Sequence, residues 1–319
     1  MKLRLGDRPS RTAQHTALAR AVAHELGVLN DPFAFMLLRG GWSLAARIAL
    51  SPALARLGVR RVFLLRSAQA WVPLSYLTAR TLFFDDAVHE GIARGCKQIV
   101  TIGAGYDVRA LRFVTPGVTF FEVDQPATQA DKRLRLGVLG EGDCARFAGA
   151  DVERDDLHAS LRAVGYDAAS PAIFLCEGVI EFLSEAGVTH LLTGLRACAA
   201  TGSTLVANFP TKQEAHEPSV LSHAGARLRR SLRRMRSERP RFNIPDWEVP
   251  PLLQGAGWRP VRRFDAYEAF AAHLADRGLP YPAIRGGRSL VVATAADSGP
   301  PSYARDGSLR LPVQTTAQE

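Results

Sequence analysis

The stretch "QIVTIGAGYDVRAL", residues 98–111, decides the fold. A short apolar run ends in Gly103 and Gly105, and a helical pattern follows them. Glycines at such a turn let backbone N–H groups approach a ligand, and a helix N-terminus adds a partial positive charge. The stretch therefore predicts a strand, a turn and a helix in the arrangement that binds nucleotides.

The two glycines do not identify the nucleotide. A dinucleotide fingerprint has a third glycine, three residues after the second, and here that position is Val108. A purely structural turn between strand and helix is the alternative interpretation.

The segments around this turn repeat its pattern. Short apolar runs occur over residues 98–103, 118–124, 145–151, 172–178 and 203–209. Helical periodicity separates several of them, over residues 127–136, 157–165 and 185–199. Strands that alternate with helices predict βαβ units and a doubly wound parallel sheet.

The rest of the chain predicts further parts around this sheet. They are a helical N-terminal cap (1–95, with helices over 12–26, 42–57 and 74–95), a ligand-binding α/β domain (96–296) with a lid inserted at about 210–245, two final strands within 257–267 and 288–295, and a mobile tail (297–319).

Composition limits the class of protein. The chain has 319 residues and a formal net charge of +9, and no apolar run approaches the ~20 residues of a membrane span. The start of the chain lacks the apolar region of a signal peptide, so we expect a cytoplasmic protein without a membrane partner. Its four cysteines form no metal-binding spacing, and we expect no metal.

Acidic residues follow three successive predicted strands. Asp124, Asp151 and Glu177 each stand at a carboxyl end, where doubly wound sheets bind ligands. A carboxylate after the second strand suits the two hydroxyls of an adenosine ribose, and Glu122 could share that role. S-adenosyl-L-methionine (SAM) has donors at both its adenine and its ammonium group. Three acids therefore favour SAM over NAD, which has no use for the additional carboxylates.

Four motifs together resemble a known family. "GAGYDVRALRF", "FEVDQP" followed by Lys132, "ADV" and "CEGVIEFL" are similar to the leucine carboxyl methyltransferase family, in its bacterial polyketide O-methyltransferase-like branch. The upstream "TARTLFFDD" (78–86) resembles the same branch, in which Tyr is usual at the position of Phe182. The resemblance implies the class I, Rossmann-like methyltransferase fold, with an antiparallel last strand and SAM as cofactor.

The resemblance also implies a role for each matching residue. Arg80 would pair with the methionine carboxylate of SAM, Gly103 and Gly105 would approach its methionine and ribose parts, and Asp124 would bind the ribose hydroxyls beside Gln125. Asp151 and the Val152 backbone would hold the adenine, and Glu177 would lie near the amino-acid end and the methyl group. Asp107 and Arg109 match an Asp-x-Arg motif, either as a helix-start ion pair or as support for the ligand.

These features predict a SAM-dependent O-methyltransferase that acts on a small anionic metabolite, free or attached to a carrier protein. A carboxylate acceptor is ionised at pH 7 and needs no base, whereas a hydroxyl acceptor would want one, with His216 and His223 as candidates. The Arg-rich segment 226–241 is either a solvated lid helix or a recruiter of anions. It lacks the interleaved aromatic residues of single-strand nucleic-acid binders.

The sequence leaves two other functions open, and it does not indicate the oligomeric state. One is an oxidoreductase that uses NAD or NADP, and the other is a non-catalytic SAM-binding scaffold.

Overall fold

The computed structural model describes residues 9–41, 43, 68–212, 239–275 and 287–295. Several predictions lie wholly or largely outside these ranges: the helix over 42–57, the lid over about 210–245 with His216 and His223, the Arg-rich segment 226–241, and the tail 297–319.

The described residues form a seven-stranded sheet in the order β3-β2-β1-β4-β5-β7-β6. The strands are β1 (Gln98–Ile102), β2 (Thr119–Asp124), β3 (Arg146–Gly149), β4 (Ala172–Cys176), β5 (Thr204–Pro210), β6 (Trp258–Asp265) and β7 (Arg288–Ala295). The first five pair in parallel, and β7 runs antiparallel to both β5 and β6. The predicted doubly wound sheet with an antiparallel last strand is confirmed.

Helices connect these strands. They are α1 (Arg11–Glu25), α2 (Ala68–Ala93), α3 (Arg109–Arg112), α4 (Pro126–Val138), α5 (Leu157–Ala163), α6 (Glu185–Cys198), α7 (Val249–Gly255) and α8 (Ala266–Leu274). The sequence predicted that α2 starts at residue 74, but it starts at Ala68 and includes Pro73. Proline removes one intrahelical hydrogen bond there, which a helix of 26 residues tolerates.

The core lies on both faces of the sheet. Every residue of β1, β4 and β5 is buried, as in strands that are covered on both sides. Neighbouring residues of β1 point to opposite faces, so that Ile99 packs with the α2 side and Val100 with the α5 and α6 side. This packing fixes the carboxyl ends of the parallel strands at one edge, where the predicted site residues lie.

The N-terminal helix α1 packs against the turn that follows β1. Ala17 and Ala21 share an apolar cluster with Tyr106 and Val108 of that turn. The Ser10 backbone N–H also donates a hydrogen bond to the Thr128 hydroxyl of α4, over 3.1 Å. The division of the chain into a cap over 1–95 and a domain over 96–296 stays a prediction. No helix among the described residues is both long and apolar enough for a membrane span.

Candidate functional site

A cavity of about 1070 Å³ opens at the carboxyl ends of the parallel strands. It lies where β1 and β4 diverge in strand order, which is the usual ligand site of doubly wound sheets. All eight residues that the sequence predicted as cofactor-binding line its wall: Arg80, Gly103, Gly105, Asp124, Gln125, Asp151, Val152 and Glu177. Their individual roles stay predictions, but the fold brings them together.

The turn after β1 needs its glycines for conformation and for packing. Gly103 and Gly105 have φ angles of +62° and +52°, which L side chains rarely adopt. A Cβ on Gly103 would lie 2.9 Å from Val179 Cγ2, and one on Gly105 would lie 2.8 Å from Ala13 Cβ. Both glycines line the cavity as well, so the structural interpretation and the ligand interpretation of this turn hold together.

The helix after this turn is shorter than the sequence pattern predicted. It is α3, a single turn of four residues that begins at Arg109, four positions after Gly105. A helix this short has only a small macrodipole, so its partial positive charge contributes little at the cavity. The electrostatics of the site must come from its ionised side chains.

Asp124 braces the glycine turn from the end of β2. Its carboxylate accepts hydrogen bonds from the backbone N–H groups of Gly105, at 2.5 Å, and of Gln125, at 2.6 Å. A carboxylate offers about four acceptor positions, so these bonds are compatible with further bonds from a ligand. Asp124 is thereby held in one orientation at the cavity wall.

Glu122 does not share this position, contrary to the expectation from sequence. It is buried below the cavity wall, where its Oε2 lies 2.5 Å from the Lys132 ammonium, and Lys132 also donates to the Asp107 carbonyl. Burial raises the pKa of Glu122 to about 6, although Lys132 opposes the rise. Glu122 and Asp124 share one face of β2, but only Asp124 reaches the carboxyl end of the strand.

Asp151 and Val152 follow β3 and form another part of the wall. The Asp151 side chain is 40% exposed, and it accepts the backbone N–H of Glu153 over 3.1 Å. The Val152 side chain is buried in the core cluster of the α5 and α6 face. Core packing therefore fixes the backbone of this segment at the cavity.

Glu177 follows β4 and is bound by two arginines. Its Oε1 accepts a hydrogen bond from Arg80 Nε at 3.0 Å, and its Oε2 lies 2.8 Å from Arg109 Nη1. The Thr81 hydroxyl also donates to Oε1, over 3.3 Å. Burial alone would raise the pKa of Glu177, but Arg109 and Arg80 outweigh burial and hold that pKa below its ordinary value.

Arg109 connects Glu177 to two further carboxylates. Its guanidinium pairs with Asp107 and, at 2.8 Å, with Asp85 of α2, and its side chain is 2% exposed. Asp107 also accepts the Arg109 backbone N–H, at 2.7 Å. The Asp-x-Arg motif thus serves both interpretations, since it starts α3 and also holds Glu177 in place.

Three further wall residues received no role in the sequence analysis, although Glu181 belongs to the quoted motif "CEGVIEFL". Tyr76 lies one helical turn before Arg80 on α2, a spacing that could have revealed it. Arg288 of β7 and Glu181, in the 3₁₀ turn Ile180–Phe182, are far apart in sequence. Only the strand pairing brings them to the cavity. Within the described ranges, no group of three or more His, Cys, Asp or Glu could hold a metal ion.

The fold and the site define a class of protein. Five parallel strands, an antiparallel β7 and acidic residues after β2, β3 and β4 are the features of a Rossmann-like, class I methyltransferase. Residues 11–196 match the leucine carboxyl methyltransferase family. The chain belongs to that family.

Two sequence relatives agree with this assignment, and one similar solved structure is given with them. A SAM-dependent methyltransferase, by name, from Mycolicibacterium paratuberculosis is 32% identical over 273 residues, covering 84% of this chain and 86% of the relative. One from Mycobacterium marinum is 36% identical over 211 residues, covering 63% and 65%. A methyltransferase structure from Thermobifida fusca has 18% identity and a TM-score of 0.47, covering 91% and 96%.

The chain is therefore a SAM-dependent methyltransferase, and SAM is its cofactor. This result decides against the alternative of an oxidoreductase that uses NAD or NADP.

The contact between Gly105 and Ala13 gives a testable prediction. We expect Gly105→Ala to lower the free energy of unfolding by about 1–3 kcal/mol more than Gly95→Ala does, because a methyl group would press on α1. Gly95 is the matched control, since its φ is +88° and no atom lies within 4 Å of the position that a Cβ would occupy there. Chemical denaturation followed by circular dichroism measures both. Equal losses would show that α1 moves away freely.

The ion network predicts how stability depends on pH. Arginine neighbours hold the pKa of Asp107 and of Glu177 below their ordinary values, although burial opposes this. The unfolded chain then binds more protons in acid. This contribution to stability is therefore complete above the unfolded-chain pKa values of ~4, and it is lost progressively as the pH falls below ~4 towards the lower pKa values of the folded protein.

Denaturation midpoints between pH 7 and pH ~2.5 test this expectation. Glu177→Gln should lose less stability in acid than the wild type, because only Asp107 of the two carboxyl groups still titrates. Glu185→Gln, which changes an exposed glutamate at the start of α6, should follow the wild type. Identical curves for all three proteins would remove the network as the cause.

Proposed function

We propose that the protein transfers the methyl group of SAM to an oxygen of a small anionic metabolite, with methyl ester formation on a carboxylate favoured. The observation that carries the proposal is that acids from three strands and the Arg80–Glu177 pair line one cavity. The family is named for carboxyl methylation, which supports a carboxylate acceptor.

The wall residues fit the cofactor chemically. Asp124 would accept hydrogen bonds from the ribose hydroxyls, with Gln125 next to it, and Asp151 would accept one from the adenine amino group beside the Val152 backbone. Gly103 and Gly105 would leave room for the cofactor against their backbone. The cavity, at about 1070 Å³, is at the large end of ligand sites and has room for cofactor and acceptor together.

Arg80 and Glu177 suit the amino-acid end of the cofactor. A guanidinium pairs with a carboxylate and a carboxylate pairs with an ammonium, so the two side chains together match an amino acid. Arg80 uses its Nε on Glu177, and its Nη1 and Nη2 atoms lie 3.1 and 3.4 Å from the position that a Cβ on Gly178 would occupy. Glu177 would also lie near the transferred methyl group.

When bound, SAM supplies a methyl group attached to a positively charged sulfur. The acceptor oxygen forms the new bond to this carbon as the bond to sulfur breaks, and the electron pair of that bond stays on sulfur. The protein contributes mainly by alignment, which can supply about 7–11 kcal/mol of the barrier reduction. Arg80, Glu177 and Asp124 hold the cofactor, and the walls exclude water from a reaction in which opposite charges neutralise each other.

A hydroxyl acceptor is the second candidate. A phenol with a pKa of ~10 needs a base to react at pH 7, and among the described wall residues His15 of α1 carries an imidazole. His216 and His223 lie outside the described residues. A carboxylate, ionised at pH 7, requires none of these groups.

Two measurements test the proposed function. Calorimetric titration with SAM, S-adenosylhomocysteine and NADH should show binding of the first two only. Incubation with SAM and a panel of carboxylic acids and phenols should release S-adenosylhomocysteine with the acids. Methanol release from the product in mild alkali identifies a methyl ester, because a methyl ether resists alkali. Transfer to phenols alone would favour the hydroxyl candidate, and no binding of SAM would contradict the proposal.

The role of Asp124 can be tested by itself. We expect Asp124→Asn to weaken SAM binding by about 1.5–3 kcal/mol, because the amide keeps the shape but loses the charge and one acceptor group. Calorimetry measures the affinity, and Asp143→Asn, at an exposed site away from the cavity wall, is the matched control. Unchanged affinity in a folded Asp124→Asn protein would remove this side chain from the ribose site.

A further inference from the structure

Three residues of the cavity wall are not among those assigned to the cofactor: Tyr76 of α2, Glu181 of the 3₁₀ turn after β4, and Arg288 of β7. Arg288 reaches this edge because β7 runs antiparallel, which pairs its first residue with Pro210 at the carboxyl end of β5. Three separate segments therefore supply one cluster beside the cofactor residues.

The cluster adjoins the Arg80–Glu177 pair. The Arg80 and Arg288 guanidinium carbons each lie 5.7 Å from the centre of the Tyr76 ring. The Arg288 Nη2 lies 3.1 Å from Glu181 Oε2. Tyr76 thus stands between the arginine assigned to the cofactor and a second arginine, which the cofactor does not require.

The Tyr76 hydroxyl is available to bind a ligand. Its oxygen is enclosed and lies close to Arg80, yet it makes no hydrogen bond of good geometry within the described part of the chain. Leaving a buried polar group unpaired is destabilising, so such a group at a cavity wall indicates a ligand. Burial raises the pKa of Tyr76, so the hydroxyl stays protonated at pH 7 and can donate.

We propose that Tyr76 and Arg288 form a carboxylate-binding subsite for the methyl acceptor, next to the Arg80–Glu177 pair. The proposal rests on the proposed function, since it names the acceptor-binding residues of the same cavity. A phenolic O–H and a guanidinium N–H are both donors, and a carboxylate with two acceptor oxygens complements them.

The pairing of Arg288 with Glu181 suits a subsite that binds the reacting carboxylate of the acceptor. The charge of an acceptor carboxylate disappears as the ester forms, so a full ion pair with it would stabilise the ground state more than the transition state. Arg288 is already paired with Glu181, and Tyr76 is neutral. The subsite therefore orients the carboxylate by hydrogen bonds and adds little net charge.

Binding of a simple carboxylate tests the subsite without any catalytic step. The protein is saturated with S-adenosylhomocysteine and titrated with benzoate, with benzyl alcohol as the neutral match. We expect Tyr76→Phe and Arg288→Gln each to weaken benzoate binding about tenfold or more, because each removes a hydrogen bond to a charged group. Benzyl alcohol binding and S-adenosylhomocysteine affinity should stay at the wild-type values in both variants, which also shows that they fold.

Arg259→Gln on the exposed face of β6 is the control for a change of charge, and it should bind benzoate as the wild type does. The proposal is overturned if the wild type does not bind benzoate, if either cavity variant binds it normally, or if Arg259→Gln loses as much affinity.

A parallel assay separates this proposal from the proposed function. The same proteins are supplied with SAM and the panel of carboxylic acids, and methyl esters are measured. If benzoate binding depends on Tyr76 and Arg288 but no acid is methylated, the subsite stands and the proposed function fails. If an acid is methylated and its KM is the same in both variants, the proposed function stands and the subsite fails.

Discussion

The site depends on one buried cation, the Arg109 guanidinium. It contacts Asp85 of α2, Asp107 of the turn after β1, and Glu177 after β4, with only 2% of its side chain exposed. These three carboxylates come from separate segments of the chain, and Arg109 contacts all of them. Arg109 therefore sets where α2, the glycine turn and the carboxyl end of β4 meet, and the cavity forms at that junction.

The ion network around Arg109 fixes the positions of its side chains more than it stabilises the fold. Taking charges out of water has a penalty of several kcal/mol per ion. A protein with well-packed apolar side chains in place of a buried ion pair is therefore often equally stable. Removing one member, however, leaves a charge without its partner and destabilises by about 3–5 kcal/mol. Glu177 is thus held in one orientation, because movement away from Arg80 and Arg109 would break two buried ion pairs.

The sequence predicted the parts of the fold that local pattern determines. The spacing of apolar residues predicted the strands and most helices. Asp124, Asp151 and Glu177 were predicted to lie at one edge of the sheet because parallel strands end together. The distance of each strand residue from the cavity was harder to predict. Glu122 and Asp124 alternate identically in sequence, yet one lies under the wall with Lys132 and the other at the cavity.

Long-range pairing explains the residues that the sequence did not reveal. The pairing of Arg288 with Glu181 depends on the direction and register of β7, which hydrophobic period does not encode. The length of α3 is likewise not encoded in the local pattern: the helix ends at Arg112, and the next residue, Phe113, packs in the core cluster of the α2 face. Local pattern therefore predicts where a ligand site forms, and tertiary pairing decides which further side chains complete it.

The glycine turn shows how packing and binding use the same atoms. Gly105 accommodates Ala13 of α1, and its N–H is bound by the Asp124 carboxylate. A turn held from both sides needs no ordering when a ligand arrives, so binding energy is not used to arrange it. The same argument applies to Glu177, which Arg109 fixes from beneath. Methyl transfer requires alignment of three atoms, and a wall whose carboxylates are already oriented supplies that alignment before the acceptor enters.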